Sequence, residues 1–161
     1  MTIVLSRSSA GYRLYAEQFL PAPLDRVFPY FADAMNLQAL TPKYLHFQIL
    51  TPAPIVMRQG SKIDYQLRIH GFPVRWQSEI TDWEPPRRFV DRQIRGPYRW
   101  WIHEHHFEQR DDQTRAIDTV EYGVPLGALL HPLLVGPDLR RIFEHRAAVL
   151  RRVFGPAPCH D

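Results

Sequence analysis

From Ile63 to Thr81 the chain keeps a two-residue period that only a sheet can absorb. Ile63, Tyr65, Leu67 and Ile69 alternate with Asp64, Gln66, Arg68 and His70. After a turn at Gly71-Phe72-Pro73, the residues Val74, Trp76, Ser78 and Ile80 alternate with Arg75, Gln77, Glu79 and Thr81. Successive side chains of a strand point to opposite faces, so each segment buries one set and wets the other. Pro85-Pro86 ends that strand, "RFVDRQI" (88–94) begins another, and Gly96-Pro97 breaks again. "PYRWWIHEHHFEQR" (97–110) follows, then a polar turn at Asp111-Asp112-Gln113 and a last strand, "RAIDTVEYGV" (115–124). Upstream, "RLYAEQFL" (13–20) reads as the first strand. Tight turns force antiparallel neighbours, because a parallel crossover needs about a dozen residues or more.

Two regions change period. "PLDRVFPYFADAMNLQAL" (23–40) spaces Leu24, Val27, Phe28, Phe31, Met35 and Leu37 by three or four, and Pro29 within it predicts two short helices rather than one. Near the C-terminus, Leu139, Ile142, Phe143, Ala147, Leu150, Val153 and Phe154 form one helical stripe, with Asp138 placed to cap its start and Gly155-Pro156 to stop it. The fold class expected is α+β. A curved antiparallel sheet of six to seven strands wraps around the C-terminal helix, two short helices follow the first strand, and this helix grip leaves a cleft between sheet and helix. The chain of 161 residues reads as one domain over 12–155, with a flexible segment at 1–11 and a tail at 156–161.

Charge and cysteine usage narrow the setting. The net charge of +3 resides in 137–155, where Arg140, Arg141, Arg146, Arg151 and Arg152 stand against Asp138 and Glu144. No aromatic residues interleave with them, so they read as the solvated outer face of a packed helix, and no nucleic-acid partner is expected. The longest apolar run, "VPLGALLHPLLVGP", is short and broken by Pro125, His131 and Pro132, so no stable membrane insertion is expected. The first residues carry no sustained apolar run and meet Arg7 early, which predicts no leader peptide. The single Cys159 excludes a disulfide framework, and the expected location is cytoplasmic.

Four stretches carry a resemblance: "YAEQFLPAPLDRVFPYFADAMNLQALTP", "WEPPRRFVDRQIRGPYRWWIHEHHFEQ", "DTVEYGVPLGALLHPLLV" and "LRRIFEHRAAVLRRVFG". Over residues 12 to 155 the chain resembles single-domain bacterial members of the START-related superfamily, which holds polyketide cyclases, pollen-allergen-like carriers and lipid-transfer domains. The resemblance implies a helix-grip fold with a hydrophobic ligand cavity and leaves the reaction open, since the superfamily mixes carriers, sensors and enzymes.

Alternation along 98–108 puts Arg99, Trp101, His103, His105 and Phe107 on one face, and Tyr98, Trp100, Ile102, Glu104, His106 and Glu108 on the other. The first set is assigned to the cavity. His103 and His105 stand roughly 6.5 to 7 Å apart at Cβ, compatible with a shared ion, but a stable site needs a third ligand. Neither Asp91 nor Asp118 is marked as one by its spacing, so no metal is expected. His103, His105, Asp91, Gln93, Asp118 and Tyr122 are candidates to anchor a ligand's polar groups, with Arg99 beside them and Trp76, Trp101 and Phe107 stacking on its apolar body. The same polar groups can instead satisfy one another, for instance His105 with Asp118. An enzymatic version would use His103 or His105 as general acid or base and Tyr122 or Arg99 as an enolate donor, in a cyclase or dehydratase acting on a polyketide-like substrate. No phosphate loop, nucleophile elbow or dinucleotide fingerprint is present, and no cofactor is expected.

The segment 123–137 has two readings, a buried connector or a lid in which Leu129, Leu130, Leu133 and Leu134 meet the ligand. The expected function is binding of a small hydrophobic or amphipathic molecule, as carrier or sensor. A further alternative is an interaction module for a short-chain-dehydrogenase-like epimerase partner, which the resemblance suggests.

Overall fold

The computed structural model describes residues 1–155; the expected tail at 156–161 lies outside them. Among the described residues, eight strands form one sheet, and every neighbouring pair is antiparallel. They are β1 (Thr2–Arg7), β2 (Tyr12–Leu20), β3 (Gln48–Ile49), β4 (Lys62–Ile69), β5 (Phe72–Glu84), β6 (Arg88–Arg95), β7 (Trp100–Arg110) and β8 (Gln113–Gly123). The spatial order is β1-β2-β8-β7-β6-β5-β4-β3. From β3 to β8 the chain is a meander; the one long jump carries it from β2 to the far edge, while β8 closes onto β2 from Tyr12↔Tyr122 to Leu20↔Thr114.

Residues 1–11 are not a loose segment. Ile3 and Leu5 turn inward, half-buried, and β1 pairs with β2 from Thr2↔Glu17 to Arg7↔Tyr12. A turn holds the connection, with Gly11 N–H donating to Ser8 Oγ at 3.1 Å. The inward set of this strand is only two residues long, too short to register as a periodic run. Together with the two-residue β3 it raises the strand count to eight.

The β4–β5 turn comprises His70 and Gly71, with φ of 51° and 86°. Both values are positive, as the two-residue hairpin turn that follows strand twist requires. Phe72 and Pro73, expected in the turn, therefore open β5 opposite Ile69 and Arg68.

Helix α1 (Leu24–Ala32) runs through Pro29 and buries Val27, Phe28 and Phe31. The N–H that Pro29 lacks would serve only the first turn, at Asp25. The break comes instead at Asp33, whose ψ of 108° leaves the helix and whose carboxylate accepts from Met35 N–H at 2.9 Å. A 3-10 turn (Ala34–Asn36) and α2 (Leu37–Leu40) follow.

The segment 123–137 is largely helical: α3 (Gly127–Leu130) and a π-helical turn (His131–Val135) lead directly into α4 (Gly136–Phe154). Asp138 consequently lies inside the first turn of α4 rather than capping it, and its Oδ2 meets His70 Nε2 at 2.8 Å. The concave face of the sheet and α4 enclose two apolar cores. One gathers Leu20, Val27, Phe28, Phe31, Phe89, Phe107, Leu150 and Phe154. The other gathers Leu14, Trp76, Trp101, Val120, Tyr122, Leu139 and Phe143.

Candidate functional site

Register builds the site. Across β6 and β7, Asp91 stands opposite His103 and Phe89 opposite His105. Across β7 and β8, His103 stands opposite Val120 and His105 opposite Asp118, with no register shift from Trp100↔Gly123 to Arg110↔Gln113. Same-face neighbours on paired strands lie within side-chain reach both directly and on the diagonal. Asp91 therefore faces His103 and reaches His105 diagonally, and Asp118 faces His105 and reaches His103.

The distances complete that quartet. His105 Nδ1 lies 2.8 Å from Asp118 Oδ1 and its Nε2 lies 3.2 Å from Asp91 Oδ2. His103 Nε2 donates to Asp118 Oδ1 at 3.0 Å, while its Nδ1 stays 3.6 Å from Asp91 Oδ2, outside hydrogen-bond range. Arg146 descends from α4 and donates through Nη2 to Asp118 Oδ1 at 3.3 Å. The same Nη2 lies 3.4 Å from His105 Nδ1, within hydrogen-bond reach. Among the described residues, Arg146 Nε is a buried donor with no protein partner.

Electrostatics follow from this arrangement. Burial alone would drive the His105 pKa down, but hydrogen bonds to Asp118 and Asp91 outweigh it and raise the value. His103 moves the other way, lowered by burial and by the adjacent His105. Burial opposes ionisation of both carboxylates. Even so, Arg146 and the two histidines hold Asp118 well below the usual carboxylate range, and His105 and His103 hold Asp91 below it. Two carboxylates, two imidazole rings and one guanidinium thus share one buried site.

Beside this cluster lies a cavity of about 410 Å³. Its walls are apolar and aromatic, from Phe31, Ile63, Tyr65, Trp76, Trp101 and Ile142 among others, and Asp91, His103, His105 and Arg146 are part of its lining. Ser78 also faces it and links the aromatic wall to the charged group. Its Oγ accepts from Trp76 Nε1 at 3.1 Å, lies 3.3 Å from Tyr65 Oη and donates to Asp91 Oδ1 at 3.4 Å. The His70–Asp138 pair lines the cavity too, with side chains 47% and 25% exposed, against 9% for Arg146. Asp138 and Arg146 lie eight positions apart on α4, about 12 Å of helix. The His70 end is thus the mouth, and the Arg146 end the floor.

Trp76, Asp91, Trp101, His103 and His105 lie on the cavity wall, with Leu130 and Leu134 near its mouth. Other residues assigned to it lie elsewhere. Arg99 precedes β7, in a bend where strand alternation does not apply; it is exposed, and Tyr98 turns inward instead, 4.8 Å from the Trp101 ring. Gln93 holds that bend, donating from Nε2 to Tyr98 O at 2.8 Å. Phe107 belongs to the first apolar core, edge-on to Phe28 and Phe31. Asp118 sits behind the histidines rather than against the cavity. Tyr122 is fully buried, and its hydroxyl meets His131 Nε2 at 2.9 Å, tying β8 to the helical connector. Leu129 and Leu133 point to solvent, 61% and 65% exposed.

The largest correction is Arg146. Counted with the solvated arginines, it is 8% exposed and forms the floor of the site. Its position was readable: 146 lies seven residues after Leu139 and four before Leu150, on the stripe. Charge alone assigned it outward.

With this geometry in view, comparison with known proteins is specific at the family level. The model of the family described as polyketide cyclase/dehydrase and lipid transport matches residues 20–151. The chain belongs to that family. Solved structures share the fold at low identity. A Mycobacterium smegmatis protein, Ms6760, is 17% identical with a TM-score of 0.68, covering 94% of this chain and 99% of its own. A protein from Arthrobacter aurescens is 16% identical with a TM-score of 0.71, covering 98% and 97%. The major latex-like protein 151 of Panax ginseng is 10% identical with a TM-score of 0.65, covering 89% and 97%. No curated protein matches the chain. Among the described residues, no helix is long and apolar enough to cross a membrane.

Proposed function

We propose that this member of the polyketide cyclase/dehydrase and lipid-transport family is a binding protein for a small amphipathic molecule, acting as carrier or sensor. The observation that carries the reading is a cavity of about 410 Å³ with apolar walls that end on one buried charged group. That volume falls within the range of small-molecule sites, about 300–1,000 Å³, and such sites pair apolar walls with a few placed polar groups. The apolar body would lie against Trp76, Trp101 and Ile142. The polar end would face Asp91, His103 and Arg146 at the floor, where burial makes each hydrogen bond worth more than in water. The molecule would enter between the His70-Gly71 turn and the Leu130–Leu134 segment.

Anilinonaphthalene sulfonate, an aromatic anion, is a suitable probe. It should bind at one saturable site with enhanced fluorescence and be displaced by lauric acid. Ile142 is only partly buried because it faces the cavity. Ile142→Trp should therefore fill the space and weaken the probe at least tenfold without unfolding the protein. Probe binding unaffected by Ile142→Trp in the folded variant would defeat the reading.

A further inference from the structure

We propose that Asp91, His103 and His105 form a site for a divalent transition-metal ion of the zinc type, with one coordination position open to the cavity. The inference concerns the ion itself and stands apart from the identity of any organic ligand. One ligand atom from each of the three side chains can be chosen so that all lie within 4.8 Å of one another. Asp91 Oδ2 lies 3.2 Å from His105 Nε2 and 3.6 Å from His103 Nδ1. A tetrahedral ion with bonds of about 2.0–2.1 Å separates its ligands by roughly 3.3 Å, close to both spacings.

The opposite ring nitrogens strengthen the assignment. His103 Nε2 and His105 Nδ1 both meet Asp118 Oδ1, at 3.0 and 2.8 Å. Metal-bound histidines donate their far N–H to a carboxylate, which fixes ring orientation and tautomer. Here Asp118 takes that bond from His103 and stands against His105 Nδ1, with His103 Nδ1 and His105 Nε2 on the side of Asp91. Arg146 in turn holds Asp118 at 3.3 Å. The division of labour matches the walls: Asp91, His103 and His105 line the cavity, whereas Asp118 supports them from behind. Three protein ligands and an open fourth position make the donor set of a reactive zinc-type site rather than a closed structural one.

Charge specifies the fourth ligand. Asp91 and Asp118 cancel a divalent ion, and Arg146 leaves one positive charge in a buried place. An anionic oxygen, from hydroxide or from a carboxylate or enolate of the bound molecule, neutralises it. The competing arrangement is the metal-free one, in which His105 lies between the two carboxylates.

The test is titration of the chelator-stripped full chain with Co(II), followed by visible absorption and then by Zn(II) competition. The expected result is one equivalent bound, with the intense bands of a four- or five-coordinate site, displaced by one equivalent of Zn(II). Asp91→Asn and His105→Gln should abolish the bands. Asp118→Asn should keep the band shape but weaken binding about 10- to 100-fold. His106→Gln, on the opposite face of β7, should change nothing. Circular dichroism verifies folding of each variant. Should a ligand variant not fold, the native chain alone decides: weak six-coordinate bands, or no stoichiometric uptake, overturn the site. Uptake lost in His106→Gln but kept in His105→Gln overturns it as well.

Discussion

Replacing Arg146 with methionine isolates the feature that most distinguishes this interior. Arg146 and Asp118 are each 8% exposed, with Nη2 3.3 Å from Oδ1. Removing one member of a buried ion pair costs about 3–5 kcal/mol, because the remaining charge loses its compensation. Asp118 keeps its bond from His103 and its contact with His105, and the methionine side chain still packs between the Phe31 and Phe143 rings that the guanidinium now covers at 5.0 and 6.0 Å. Both effects place the expected loss near the lower bound, about 3 kcal/mol. For a chain of this length each kcal/mol shifts Tm by about 2–4 °C, so the variant should melt about 6–12 °C lower. Urea and thermal unfolding by circular dichroism, in chelator, read the change. Arg152→Met, on the exposed face of the same helix, should stay within about 0.5 kcal/mol. Adding Asp118→Asn to Arg146→Met should recover part of the loss, giving a coupling energy above about 1 kcal/mol. An Arg146→Met variant as stable as Arg152→Met refutes the buried-pair account.

Further outcomes follow from the same contacts. Ser78→Ala leaves Trp76 Nε1 without its 3.1 Å acceptor in a buried setting, a loss of about 1–3 kcal/mol in urea unfolding. Gly71 sits at φ 86°, so Gly71→Ala should cost about 1 kcal/mol by the same assay. In chelator, Asp118 and Asp91 ionise more readily folded than unfolded. The stability they supply is complete above the unfolded value of about 3.9 and is lost as pH falls through their depressed folded values. The urea midpoint should drop below about pH 4, and Asp118→Asn should flatten that acid limb.

Much of the architecture was readable from periodicity, and the reasons for the exceptions are physical. Trp101, His103, His105 and Phe107 alternate as one buried row because β7 pairs with β8 without a bulge. Arg99 fell outside because alternation has meaning only within a strand, and β7 starts one residue later. The pairing of Asp91 with His103 depends on β6–β7 register, and β5–β6 carries two register shifts that no local pattern reveals. β1 and β3 were too short for a period to show. Arg146 shows a different limit: its place on the helix was plain, but burial of its charge depends on Asp118, which the chain brings beside it only when folded.

The central claim, that an amphipathic ligand lies between the aromatic wall and the charged floor, can be read from four indole N–H signals. Trp76 and Trp101 line the cavity; Trp83 packs with Phe28 and Phe89, and Trp100 lies over Gly123, both away from it. In a proton–nitrogen correlation spectrum titrated with anilinonaphthalene sulfonate, the Trp76 and Trp101 resonances should move together to saturation while those of Trp83 and Trp100 stay fixed. Stationary Trp76 and Trp101 signals under saturating probe, or shifts confined to Trp83 and Trp100, would contradict the account.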